Sequence, residues 1–453
     1  MRRLPLVLAL TGALALSACS GSDPDGQSSS SAASSSAASP SASPSTSASE
    51  SVIEPTEEPT PSTSPTAPAR TITIPATISG LHVAGVQDGA WPDANVPFGS
   101  LRLWDSGTSW SQIETTPGTY SWAQLDEAVE TAQDNGVDDI LLVLGSTPAW
   151  NAKRVIVGDY PAPGAASAPK DMGAWDDFVR AVATRYEGRI SSYQIWNEAS
   201  LTMFWDGSPK QMAELTKRAY DIIRSVDPAA TVVAASTTVR LPGAFDRFFT
   251  RYLEALREEG WPVDVFAAHL YPSSRGVTND RAAFISQVSD ALATAGAPAL
   301  PVWDTELNYG LAGPGAGNPK QKIVGSRARD WVVETTVDSL YLGISRTYWY
   351  IWTPEPYPLL GMQLTDTSGA VKGLRIVDQW LVGGDLGTCT DDGSVATCEV
   401  LKNGVPSVIA WSLDGPAALV APEGFTEICR TNNTCVPVEG VIELTGTPVR
   451  LLP

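Results

Sequence analysis

Glu198 sits within the stretch YQIWNEAS, and Glu306 within WDTELNYG. Each follows a β-branched or aromatic run, so each stands where a buried strand gives way to polar residues. A single glutamate in such a place is commonly a solvated or capping residue. Two of them facing one cavity could cleave a glycosidic bond with retention. One carboxylic acid would protonate the leaving oxygen while a second carboxylate, about 5 to 5.5 Å away, attacks the anomeric carbon. The attacking group must stay ionised, which a guanidinium such as Arg102 and a phenol such as Tyr271 would favour at Glu306. The acid must stay protonated, and aromatic neighbours such as Trp150 and Trp196 would raise its pKa as an apolar pocket does.

Bringing these side chains together requires a scaffold that gathers strand ends. Eight apolar runs alternate with amphipathic stretches: ISGLHVAG, FGSLRLW, DDILLVLG, ISSYQIWN, TVVAAST, VDVFAAHLY, LPVWDTE and SRTYWYIW. The intervening segments read as helices, such as SWAQLDEAVETAQDNG with its Asn-Gly stop and SPKQMAELTKRAYDIIRSVDP with its Ser-Pro start. Near-continuous apolar strands between helices imply a parallel sheet covered on both sides, and eight repeats favour closure into a (β/α)8 TIM barrel. A doubly wound sheet would carry a Gly-rich first turn, which GLHVAGVQDG matches poorly. In a barrel the carboxyl ends of the strands share one mouth. Those ends supply Arg102 and Asp105, then Ser146 and Trp150, then Asn197 and Glu198. Strands six to eight add His269 and Tyr271, Asp304 and Glu306, and Trp349 and Trp352. Tryptophan faces stack on sugar C–H faces, and the chain holds 15 of them, most expected in the core.

WNE at the fourth strand end, HLY after the sixth and WDTELNYG at the seventh resemble the clan A retaining (β/α)8 glycoside hydrolases over residues 78–384. Within that clan, LRLWDSGTSWSQIETTPGTYSWAQLDEAV and the terminal GTPVRLLP are most similar to the family 39 group, which includes β-xylosidases, α-L-iduronidases and exopolysaccharide-cleaving enzymes. The resemblance implies that Glu198 is the general acid/base, that Asn197 holds the sugar 2-hydroxyl and that Glu306 is the nucleophile. It also implies that Arg102 and Tyr271 bond Glu306, that His269 lines the site, and that Trp352 rather than Trp349 floors the −1 subsite. One departure lies after strand three, where several clan members carry a histidine and this chain has GSTPAWNA. Trp150 and Asn151 are then the candidates on that wall.

The flanks and composition set the context. MRRLPLVLALTGALALSACS reads as a secretory leader in which LSAC resembles a bacterial lipobox, so residues 1–19 are expected to end at a lipidated Cys19. Residues 20–69, rich in Ser, Ala, Pro and Thr, cannot bury enough apolar surface to order themselves and read as a disordered linker. The barrel is expected over 70–384, and a small antiparallel β-sandwich domain over 385–453, which RTITIPATI could join as an extra strand. Its close cysteine pairs suggest disulfides Cys389 with Cys398 and Cys429 with Cys435. Four cysteines allow three connectivities, and a zinc site built from all four is disfavoured without C-x-x-C spacing. With two histidines and no HExxH, neither a metal nor any cofactor is expected. A net charge of −20 argues against nucleic acid or anionic membrane surfaces as partners. The expectation is a monomeric cell-surface lipoprotein, tethered to the bacterial membrane by lipid alone, that hydrolyses an extracellular poly- or oligosaccharide. Its rivals are a carbohydrate-binding lipoprotein on an inert barrel and a transglycosylase with the same residues.

Overall fold

The computed structural model describes residues 72–156, 160–313, 320–438 and 440–453. The leader, Cys19 and the 20–69 linker lie outside the described residues. Residues 69–453 form one compact unit.

The sequence runs fold as parallel strands β1 (Ser79–Val83), β2 (Ser100–Leu103), β3 (Ile140–Leu144) and β4 (Ser192–Ile195), paired in chain order. β6 (Phe266–His269), β7 (Val302–Leu307) and β8 (Ile344–Trp352) continue the sheet, and β8 returns to pair with β1. Strand β5 is split. Its first part, Thr231–Val233, pairs with β4, and its second, Thr237–Thr238, pairs with β6. A bridge from Val233 to Val265 completes the circuit, so the expected TIM barrel forms with its fifth strand broken. Side chains fill its floor: Leu141, Val233, Val265, Ala267, Trp303 and Tyr348 form a buried cluster.

Helices α1 (Trp110–Ile113), α2 (Ala123–Asp134), α3 (Met172–Arg185), α4 (Pro209–Val226), α5 (Pro242–Glu258), α6 (Asp280–Ala295), α7 (Gly325–Tyr341) and α8 (Gly369–Trp380) surround the strands. Their starts follow local chemistry. Ser208 and Gln211 form a reciprocal capping box ahead of Pro209, and Asp171 and Ser368 cap α3 and α8. The β1 to β2 connection departs from the alternating pattern. It carries only a 3-10 turn, Val86–Asp88, because Gly85 and Gly89 adopt left-handed backbone on either side.

The C-terminal region forms a seven-stranded antiparallel sheet and a two-stranded ribbon, Ala417–Val420 with Val441–Leu444. Ile72 and Thr73 pair with Leu386 and Asp385, so the first described strand joins this sheet. One sheet face shares a continuous core with the barrel through Val400, Ile409 and Trp411. The other packs Val408, Ala410 and Leu451 against Ile442 and Leu444 of the ribbon. Trp411 seals the junction by donating its indole N–H to Asp338 Oδ1 on α7 at 2.8 Å. Both expected disulfides form, Cys389–Cys398 and Cys429–Cys435, each between facing residues of paired strands.

Candidate active site

Strand pleating turns Arg102 of β2 and Gln194 of β4 into the barrel, where both are fully buried. Arg102 organises everything above the floor. Its Nε donates to Gln194 Oε1 at 2.9 Å, one terminal nitrogen donates to Glu306 Oε2 at 2.9 Å, and the other donates to Asn197 Oδ1 at 2.8 Å. His82 Nε2 lies 3.2 Å from the same guanidinium, and Gln194 in turn donates to Thr305 Oγ1 at 3.1 Å. A buried guanidinium is tolerated because nearly all of its fork is engaged.

Glu306 rests on this layer. Tyr271 donates its hydroxyl to Oε1 at 2.9 Å while Arg102 holds Oε2. Burial lifts the Glu306 pKa above the ordinary carboxylate value, and His269 and Arg102 pull it back. Glu198, just after β4, has its pKa pushed up to about 7 by burial, only partly countered by Arg240 and Arg102. The guanidinium and the phenol at hand both favour the ionised form of Glu306. His269 Nδ1 stands between them, 3.1 Å from Glu198 Oε1 and 3.9 Å from Glu306 Oε2. Burial lowers the His269 pKa to about 3, so at neutral pH it is an uncharged imidazole that can accept the Glu198 proton or donate to its carboxylate.

Glu198 is held by strained backbone. Trp196 and Glu198 have φ of 76° and 40°, left-handed values that bulky residues seldom adopt. The break in β5 supports them: Ser236 Oγ accepts from the Glu198 amide at 2.9 Å, and the Ser236 carbonyl accepts from the Ala199 amide at 2.9 Å.

Glu198, Glu306, Arg102, Asn197, His269 and Tyr271 are thus brought together. Trp150 is not part of that network. Its indole donates to the Glu114 carbonyl at 2.8 Å and its ring packs edge-on against Trp110 of α1. Asn151 is consumed structurally, exchanging two 2.9 Å hydrogen bonds with the backbone of Asp171. Trp196 turns into a cluster with Trp175 and Trp205, so burial in general, rather than that ring facing the acid, raises Glu198. Trp352 is buried and donates to Asp366 Oδ1 at 2.9 Å, while Trp349 packs toward Tyr309. Asp304 faces the helices and pairs with buried Arg281 at 3.1 Å.

Strand eight instead presents Tyr350, whose ring meets His82 edge-on at 5.0 Å and whose hydroxyl donates to Asp105 Oδ2 at 2.6 Å. Tyr160 donates to Asp105 Oδ1 at 2.5 Å. Asp105 was expected at the mouth, whereas His82, Tyr160, Tyr350 and Gln194 are absent from the site residues expected from sequence. The alternation 348, 350, 352 along β8 was the available signal for Tyr350.

No protein-family profile matches the chain. A 121-residue segment is 31% identical to a beta-xylosidase of Geobacillus stearothermophilus, covering 24% of this chain and 23% of that enzyme. The match therefore spans under a quarter of the relative's length. Among solved structures, a family 39 glycoside hydrolase from Bacteroides cellulosilyticus WH2 superposes with a TM-score of 0.60 at 15% identity, over 83% of this chain and 81% of that one. A family 39 beta-xylosidase from Caulobacter crescentus gives 0.58 at 15% identity, over 85% and 98%. A family 44 endoglucanase from Clostridium thermocellum gives 0.52 at 13% identity, over 85% and 98%. These neighbours share the fold of the group that the strand-end motifs resemble.

Proposed function

We propose that this protein is a retaining glycoside hydrolase acting by double displacement on an extracellular poly- or oligosaccharide. The carrying observation is that both carboxylates converge on the one nitrogen of His269. Their nearer oxygens are therefore no more than about 7 Å apart, a bound that admits the ~5–5.5 Å of retaining pairs.

In the first step Glu306 attacks the anomeric carbon as the protonated Glu198 gives its proton to the departing glycosidic oxygen. The C–O bond breaks and a glycosyl ester forms on Glu306. In the second, ionised Glu198 takes a proton from water, the oxygen bonds the anomeric carbon, and Glu306 leaves as a carboxylate. Asn197, fixed through its Oδ1 by Arg102, keeps its amide N–H groups for a sugar hydroxyl.

The test is cleavage of a panel of aryl glycosides and polysaccharides, with the anomer of the first-formed product read by proton NMR and Glu306→Ala run in parallel. Product of retained configuration, lost in the folded variant, is expected. An inverted product, or full activity in the variant, would refute the assignment. Sugar binding without cleavage would favour the inert-barrel rival.

We further propose a lipid anchor at Cys19, from the LSAC context. Mass spectrometry of the exported protein should find an acylated cysteine as the mature N-terminus, and an unmodified peptide there would overturn it.

A further inference from the structure

We infer that Arg240 forms an anion-reading subsite for the leaving group, so that preferred substrates carry a carboxylate or sulfate next to the bond that is cut. This deepens the glycosidase reading and rests on it.

Arg240 follows the second part of β5, a segment laced to the acid wall on one side and to β6 on the other. The Thr238 amide donates to Ser200 Oγ at 3.1 Å, and the Val239 amide donates to the His269 carbonyl at 3.4 Å. The guanidinium carbon lies 5.5 Å from the centre of the Tyr271 ring, the ring whose hydroxyl holds Glu306. Glu198 has to face the glycosidic oxygen and Glu306 the anomeric carbon, so the departing sugar lies on the Glu198 side of the bond. Arg240 follows β5, the strand next to the one that ends at Glu198, and its charge reaches that acid.

Among the described residues Arg240 has no carboxylate within ion-pair distance. The chain carries 50 acidic against 30 basic residues, so a shortage of acids does not explain the missing partner. Its half-buried fork is matched in shape to a carboxylate or a sulfate and lies on a ring that keeps it oriented. Burying that cation beside a catalytic acid costs solvation, and an anionic ligand would offset the cost.

The experiment measures kcat/KM for aryl glycosides of one sugar that the full-length enzyme cleaves. Three leaving groups are compared, 4-carboxyphenol, 4-sulfophenol and the neutral 4-carbamoylphenol, in wild type, Arg240→Gln and Arg240→Lys. Dividing the anionic-to-neutral ratio in wild type by that in Arg240→Gln cancels the intrinsic reactivity of each phenol. The expected quotient is about 10, the scale of one charge-assisted hydrogen bond at a half-exposed site, with an intermediate value in Arg240→Lys. A larger quotient for the carboxylate assigns uronate-like substrates, and a larger one for the sulfonate assigns sulfated ones. A quotient near one for both overturns the subsite, including the case where Arg240 only tunes Glu198 and every substrate is affected alike. Absence of turnover on all sugars tried overturns the glycosidase reading itself, an outcome separable from turnover without charge preference.

Discussion

Glu198→Gln keeps the size and hydrogen-bonding reach of the side chain and deletes its titration. With a pKa of about 7 in place of 4.5, Glu198 is roughly nine-tenths protonated at pH 6, against about one part in thirty for an unshifted carboxyl. Burial therefore raises the population of the protonated acid about thirtyfold at that pH, and the rise from 4.5 to about 7 corresponds to about 3.4 kcal/mol between its two charge states. General acid catalysis contributes about 10²–10⁴ where the leaving group needs the proton. Glu198→Gln should accordingly lose about that much kcat/KM on an oligosaccharide, and less than about tenfold on a dinitrophenyl glycoside, whose phenolate departs unaided. The alkaline limb of kcat/KM near pH 7, set by the free enzyme, should vanish in the variant. Stability supplies an independent readout. A carboxyl whose pKa is raised on folding contributes stability that is full below its unfolded value and lost as pH rises through about 7. Thermal melts should then show the variant matching wild type at pH 4 and exceeding it at pH 9. Equal losses on both substrates, or a persisting limb at pH 7, would show that Glu198 is not the acid.

Arg102→Met should destabilise the protein by about 3–5 kcal/mol in denaturant titrations, because Glu306 is left buried without its cation. Arg102 lowers the Glu306 pKa, so any residual activity should have its acid limb moved to higher pH. An unmoved limb would mean that Glu306 is not the group ionising there. Glu334 on α7, accepting from Thr278, has its pKa pushed up to about 8 by burial, with Asp338 and Asp330 adding to the rise. Its stability contribution is complete below pH 4.5 and lost as pH rises through about 8, so Glu334→Gln should gain up to about 5 kcal/mol over wild type at pH 9 and little at pH 4. An identical difference at both pH values would sink that account. Tyr350→Phe removes one of the two donors on Asp105, a bond that lowers its pKa, and should cost about 1–3 kcal/mol of stability. A variant with unchanged denaturation midpoint would show that water replaces the phenol at no cost.

The strands were legible because a parallel sheet covered on both faces needs continuous apolar runs, and ILLVL of β3 is buried at every position. The convergence of Glu198 and Glu306 was legible because a barrel gathers its strand ends. Residues beneath the pair were less so. His82 and Gln194 matter through what they do to Arg102, and nothing local in ISGLHVAG or SSYQIWN marks that role. The split in β5 was hidden for a related reason. TVVAAST reads as one strand, yet Ser236 leaves the ladder to hold the Glu198 and Ala199 amides. On strand eight the conspicuous tryptophans drew attention from Tyr350, the residue between them that meets His82 and Asp105.

The same logic explains why the site is costly to build and stays in one arrangement. Two non-glycine residues with positive φ bracket Asn197, each disfavoured by about 1–3 kcal/mol. Such strain persists only where surroundings over-determine it. Here the Trp196 amide is fixed to the Leu144 carbonyl at 2.7 Å, its indole to the Phe204 carbonyl at 2.6 Å, and the Glu198 amide to Ser236. Those bonds come from β3, from the loop after β4 and from the broken β5, so releasing the strain would require three elements to move together. The buried fork of Arg102 closes the arrangement from below by joining β2 to Gln194, Asn197 and Glu306 at once. A proton donor raised by burial and a carboxylate held by a cation can coexist within one cavity because each is fixed by different strands of a single rigid ring.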